Sequence, residues 1–140
     1  MEKTKIPKKI SKPKIILIIA GILLICYLFP IKMLSADTSD ITYIDIFNGN
    51  SGKHFIVSEK NQVDYIVHNL STSWVSRTFP KLPSSGFGFS LKFYDKDENV
   101  YAKMVMNSES NIVKGIFYHN SWQSSLCYDY LKELEAELGE

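Results

Sequence analysis

"GFGFSLKFYDKDENVYAKMVM", residues 86–106, sets the class of architecture. Phe87, Phe89, Leu91 and Phe93 alternate with Gly88, Ser90, Lys92 and Tyr94. That period of two sends successive side chains to opposite faces of a sheet, so the aromatic-aliphatic set predicts a core face. "DKDEN" turns the chain, after which Val100, Ala102, Met104 and Met106 alternate with Tyr101, Lys103 and Val105. Two such runs joined by a short polar turn are antiparallel. "NSESN" turns the chain again before "IVKGIFYH", which reads as one further strand and completes a three-stranded meander.

Upstream, "ITYIDIF" (41–47) and "KHFIVS" (53–58) flank "NGNSG", whose residues tolerate positive φ; together they predict a hairpin. Ser58 stands where an N-cap would, with Glu59 in the first turn. Val63, Ile66, Val67 and Leu70 at i, i+3, i+4 and i+7 predict an amphipathic helix over 59–70. "TSWVSRTF" reads as a strand that ends at the proline-rich "PKLPSSG". Downstream, Ser121 or Ser124 could cap a helix on which Cys127, Leu131, Leu134 and Leu138 recur at spacings of four, three and four.

The amino-terminal third differs in character. Ile15 to Phe29 is uncharged and almost wholly apolar, and "KTKIPKKISKPK" precedes it. A bilayer core needs about 20 apolar residues in a helix, so a signal anchor over 15–34 requires Lys32 to snorkel and Met33 and Leu34 to add length. On that reading residues 1–14 are a basic cytoplasmic head, 35–40 a short tether and 41–140 an extracytoplasmic domain, oriented by the lysines. The alternative is a cleaved signal ending near Ala36, with Leu34 in the place of a small residue. Ile25 before Cys26 does not fit a lipobox.

Charge follows the same division: the head carries a net +5 and residues 37–140 a net −5. A mildly acidic body lacks the concentrated basic face that nucleic acid requires. Cys26 lies in the apolar run and Cys127 near the carboxyl end, so a disulfide between them is not expected, and Cys127 reads as a small buried residue.

Chemical motifs are sparse. Asp95, Asp97 and Asn99 occupy the first, third and fifth places of a calcium loop, but Val100 and Met106 stand where the glycine and bidentate glutamate belong. Gly86 and Gly88 precede a strand rather than a helix and form no phosphate cradle. His54, His68 and His119 have no metal-ligand spacing, and Asp64 and His68 at i, i+4 suit a surface pair as well as a base with its orienting acid. Asn69-Leu70-Ser71 is a glycosylation triplet that helix termination also explains. No catalytic, cofactor-binding or metal-ligating residue is therefore assigned. Aromatic residues make up 13% of the chain; Tyr43, Phe47, Tyr94, Tyr101, Trp122 and Tyr128 are among those expected at outward or rim positions, and of these Tyr94, Tyr101, Trp122 and Tyr128 form the candidate binding surface.

With "GFGFSLKFYDKDENVYAKMVM", "IVKGIFYH" and "YDYLKELEAEL" in this order behind a lysine-led apolar segment, the chain resembles small membrane-anchored or lipoprotein domains of uncharacterised function in Gram-positive bacteria, the YhfM-like type among them. The resemblance implies fold and location and brings no catalytic residues.

The expectation is thus an α+β domain, an antiparallel sheet of about five strands with two helices on one face, preceded by one N-terminal transmembrane helix. It would be a single-pass protein of the cell membrane whose external domain binds a protein, peptide or wall ligand without catalysis or cofactor. Its other partner would be the lipid bilayer, through residues 15–34. The alternatives are a secreted binding domain and a small hydrolase or metal enzyme assembling His54, His68 and His119.

Overall fold

The structure is a computed structural model that describes residues 12–80, 87–122 and 126–139. In chain order its elements are α1 (Lys12–Leu28), β1 (Ile31–Lys32), a 3-10 turn (Thr38–Asp40), β2 (Tyr43–Asn48), β3 (His54–Val57), α2 (Lys60–Thr72), β4 (Trp74–Pro80), β5 (Phe89–Tyr94), β6 (Val100–Met106), β7 (Asn111–Lys114), β8 (Phe117–Ser121) and α3 (Tyr128–Leu138). The strands form one sheet in the order β1-β4-β8-β7-β6-β5-β2-β3, and each neighbouring pair is antiparallel.

The class is α+β, as expected, but the sheet has eight strands rather than about five, and the described helices number three. Two of the extra strands have identifiable origins. "IVKGIFYH" is not one strand: Gly115, at φ +62°, makes a tight turn with exposed Ile116 and folds the segment into the β7–β8 hairpin. Ile31–Lys32, expected inside a membrane, pairs with Val75 and Trp74 of β4 at the sheet's edge.

The transmembrane anchor over 15–34 is overturned by the same geometry. Among the described residues no helix is long and apolar enough to cross a membrane. α1 has 17 residues and opens on Lys12, Pro13 and Lys14. Its uncharged part, Ile15–Leu28, is about 21 Å long at 1.5 Å per residue, against a hydrocarbon core of about 30 Å. Met33 and Leu34, needed to extend the span, are instead 0% and 1% exposed in the domain core. The single-pass membrane and external-domain assignments lose their basis with it. The apolar side chains of α1, among them Ile16, Leu17, Leu23 and Ile25, are exposed.

One continuous core lies on one side of the sheet. Ile44 and Ile46 of β2, Phe55 and Val57 of β3, Phe89, Leu91 and Phe93 of β5, Met104 and Met106 of β6 and Ile112 of β7 supply its floor. Val63, Ile66, Val67 and Leu70 of α2 and Leu131 and Leu134 of α3 cover it. Glu59 rather than Ser58 takes the N-cap position of α2, without a side-chain capping bond. Asn69 near the end of α2 accepts the Cys127 N–H at 3.1 Å and so caps the start of α3. Of the proposed capping serines for α3, Ser124 lies outside the described residues. At the other end of α3, Glu135 accepts from the buried Asn48 Nδ2 at 2.9 Å and from the Ser51 hydroxyl, which holds the helix on the β2–β3 turn.

Candidate functional site

Both packed helices lie on the core side, so among the described residues no helix covers the opposite face of β2, β3, β5 and β6. Register defines what that face presents. Tyr43 lies opposite Tyr94, Asp45 opposite Lys92 and Ile56, Phe47 opposite Ser90 and His54, and Lys92 opposite Lys103. The Tyr43 and Tyr94 rings stack with centroids 4.6 Å apart and planes 9° from parallel. Phe47 packs at 6.0 Å on Phe87, and Phe47, Phe87 and Ile56 remain exposed. Phe87, expected on the core face with Phe89, lies on this side, and a Cβ at the intervening Gly88 would fall 2.3 Å from the Met106 carbonyl oxygen.

Asp45 is the electrostatic centre of the face. Its Oδ1 is 2.6 Å from His54 Nε2 and its Oδ2 accepts from Lys92 Nζ at 3.2 Å. Partial burial acts to raise the carboxyl pKa, but the hydrogen bonds from His54 and Lys92 outweigh it and hold the group below the ordinary aspartate value. Lys92 is held above its ordinary value by the bond to Asp45. Lys103 has no ion pair among the described residues, so the face keeps one uncompensated cation beside a depression of about 190 Å³ lined by Ser90, Lys92, Val105 and Val113.

A carboxylate bonded to an imidazole can orient a general base, but the base then needs a nucleophile within reach. Ser90 stands two strands from His54, about 10 Å at the usual strand spacing, with Phe47 between them. The three histidines do not meet: His54 is on the open face, His68 is exposed on α2, and His119 is buried on the core side of β8. Among the described residues no three His, Cys, Asp or Glu side chains are grouped to hold a metal ion.

The four aromatic residues of the expected surface occupy separate places. Tyr94 belongs to the open face. Tyr101 sits where the β5–β6 register shifts, and its hydroxyl donates to the Ser35 carbonyl at 2.7 Å, fastening the segment before β2. Trp122 is exposed beyond β8, its N–H bonded to the Trp74 carbonyl at 3.2 Å. Tyr128 packs edge-on against buried Phe89, on the opposite side of the sheet from Tyr94, with Lys132 Nζ 4.7 Å from its ring centroid.

Other motif positions serve local structure. Asp95 Oδ1 accepts from the Asp97 and Asn99 N–H groups, each at 2.9 Å, and so closes the β5–β6 turn. Asp64 pairs with Lys60 rather than His68. Burial pushes the Cys127 thiol up to about 12, so it remains protonated at neutral pH. An open cleft of about 490 Å³ lies between residues 32–40 and the end of α2, lined by Lys32, Asp37, Asp40, His68 and Thr72. Asp40 there is committed to its own turn, accepting the Asp37 N–H at 3.0 Å.

Sequence reasoning missed the Asp45–His54–Lys92 group because its members are 9 and 47 positions apart. The available signal was the alternation itself, which placed Asp45 with Tyr43 and Phe47 on one side of "ITYIDIF". Comparison with protein-family models, curated proteins and solved structures found no match.

Proposed function

We propose that this chain is a non-catalytic binding domain that takes a protein or peptide partner on the open face of β2, β3, β5 and β6. One observation carries the reading: Phe47, Ile56 and Phe87 are exposed beside the Tyr43–Tyr94 stack on a face that no described helix covers. Rigid aromatic and aliphatic groups clustered this way supply contact area at small entropic cost, which is the composition of interface centres. Lys103, which has no ion pair among the described residues, adds a cation at the margin, favouring a partner with an acidic side chain there. Asp45, His54 and Lys92 hold one another in place and preorganise the face.

The test is photo-crosslinking in cells from an unnatural residue at position 56. A discrete adduct with another protein is expected, lost in Phe47→Ser and Tyr94→Ser variants whose circular dichroism and melting match the parent chain. No adduct, or one indifferent to both substitutions, would refute the reading.

A further inference from the structure

A second site lies on the core side of the sheet, at its other end. We propose that the cavity between the end of α1 and strands β4, β7 and β8 binds an oxyanion carried on an apolar body, the chemistry of a small aromatic acid or of a peptide's terminal carboxylate.

The cavity measures about 330 Å³ and is lined by Tyr27, Ile31, Arg77, Lys114, Phe117 and His119. Strand pairing brings the nitrogen-bearing side chains together. Arg77 of β4 is the register partner of His119 of β8, which is also the partner of Ile112 of β7. Lys114, two residues beyond Ile112, shares its face by alternation. Among the described residues no carboxylate lines the cavity, and neither Arg77 nor Lys114 has an ion pair. Their hydrogen bonds leave donors to spare: Arg77 Nη1 reaches the Cys26 carbonyl at 3.4 Å, and Lys114 Nζ donates to the Met33 carbonyl at 2.9 Å.

His119 is the independent pointer. It is only 3% exposed, it lines the cavity, and its buried Nδ1 has no hydrogen-bond partner among the described residues. A buried polar atom left unpaired is costly; Nδ1 is closed to solvent, so a ligand oxygen accepts from it only once the imidazole turns toward the cavity, and that bond would remove the cost. Burial, and then the charges of Arg77 and Lys114, hold the imidazole below its ordinary pKa against the opposing effect of the Phe117 backbone carbonyl. A bound anion would offset those two charges.

The remaining walls define the rest of the ligand. Tyr27 and Phe117 meet edge to face with centroids 6.2 Å apart, and Ile31 adjoins them. A bare ion would leave this surface uncovered, whereas an aromatic or aliphatic acid fills it while its planar carboxylate meets the guanidinium fork.

The experiment is an NMR titration of the full chain, read at the His119 ring and the Phe117 amide. Its probes are benzoate, a short peptide ending in a free phenylalanine carboxylate, the same peptide amidated, and inorganic phosphate. Saturable shifts with benzoate or with the free-acid peptide are expected, and whichever binds more tightly identifies the source. The amidated peptide should bind at least about tenfold more weakly than the free acid, and Arg77→Gln should weaken the acids by about tenfold or more, the effect of losing a charged hydrogen bond. Arg77→Lys, keeping charge without the fork, should fall between. Arg77 is half-buried with one long contact, so its variants fold, and retained amide dispersion checks this. The proposal is overturned if no acid saturates, if amide and acid bind equally, if Arg77→Gln changes nothing, or if phosphate matches the acids.

Discussion

Leu34→Ala separates the fold described above from a chain in which residues 15–34 form an anchor and 35–40 a passive tether. Leu34 is 1% exposed, and its N–H reaches the Leu70 carbonyl of α2 at 3.4 Å. Beside it Met33 is 0% exposed, bonded through its N–H to the Ser73 carbonyl at 3.2 Å and through its carbonyl to Lys114. Truncating a buried leucine to alanine costs about 2–5 kcal/mol, the lost transfer energy plus the cavity left behind. Taking about 3 kcal/mol, and a urea slope of about 1.5 kcal/mol/M for a domain of this size, the unfolding midpoint should fall by about 2 M. That is a large share of the 5–15 kcal/mol, roughly, that holds such a domain together. The assay is urea denaturation of the full chain followed by near-ultraviolet circular dichroism. Leu28→Ala on the exposed side of α1 serves as control and should shift stability by no more than about 0.5 kcal/mol. If the two variants have the same midpoint, Leu34 is not a core residue and the packing of residues 31–36 is wrong.

Gly88→Ala should destabilise the domain by about 1–3 kcal/mol, because the new methyl would stand 2.3 Å from the Met106 carbonyl oxygen of the paired strand, and thermal melting would show it; an unchanged melting temperature would rule out that close approach. Stability should fall on acidification in two windows. Buried His119 has a lowered pKa, so the unfolded chain takes up its proton first below about 6.5; Asp45, also lowered, gives stability above the unfolded carboxyl value of about 4 that is lost as pH falls through its folded value. Asp95 and Asp129, lowered by their own hydrogen bonds, titrate in the same lower window, so Asp45→Asn should shrink the lower step and leave the upper one, and urea midpoints measured between pH 7.5 and 3 would reveal a failure as two parallel profiles.

How far the primary structure could be read depended on the range of the interaction involved. "FSLKFY" and "VYAKMVM" announced their strands because a two-residue period acts within a few positions, and Val63, Ile66, Val67 and Leu70 announced α2 by the same local logic. The core faces of these elements followed, apart from Phe87 and Val100, where the pattern meets a close approach and a register shift. "IVKGIFYH" misled because isoleucine after Gly115 suits a strand as well as an exposed turn.

Composition and periodicity thus fix the antiparallel α+β character, the buried side of each long element, and the absence of any metal-ligand or nucleophile spacing in the linear chain. They do not fix which distant segments meet. Fifteen apolar residues before a proline have the same hydropathy whether they enter a bilayer or end beside β4, and Met33 and Leu34 became core only because Ile31–Lys32 found an edge to pair with. Likewise Asp45 with Lys92, and Arg77 with Lys114 and His119, are brought together by strand order across 47 and up to 42 positions. Local periodicity carries no information about contacts at that range, since they depend on which edges the hydrogen bonds of the sheet satisfy.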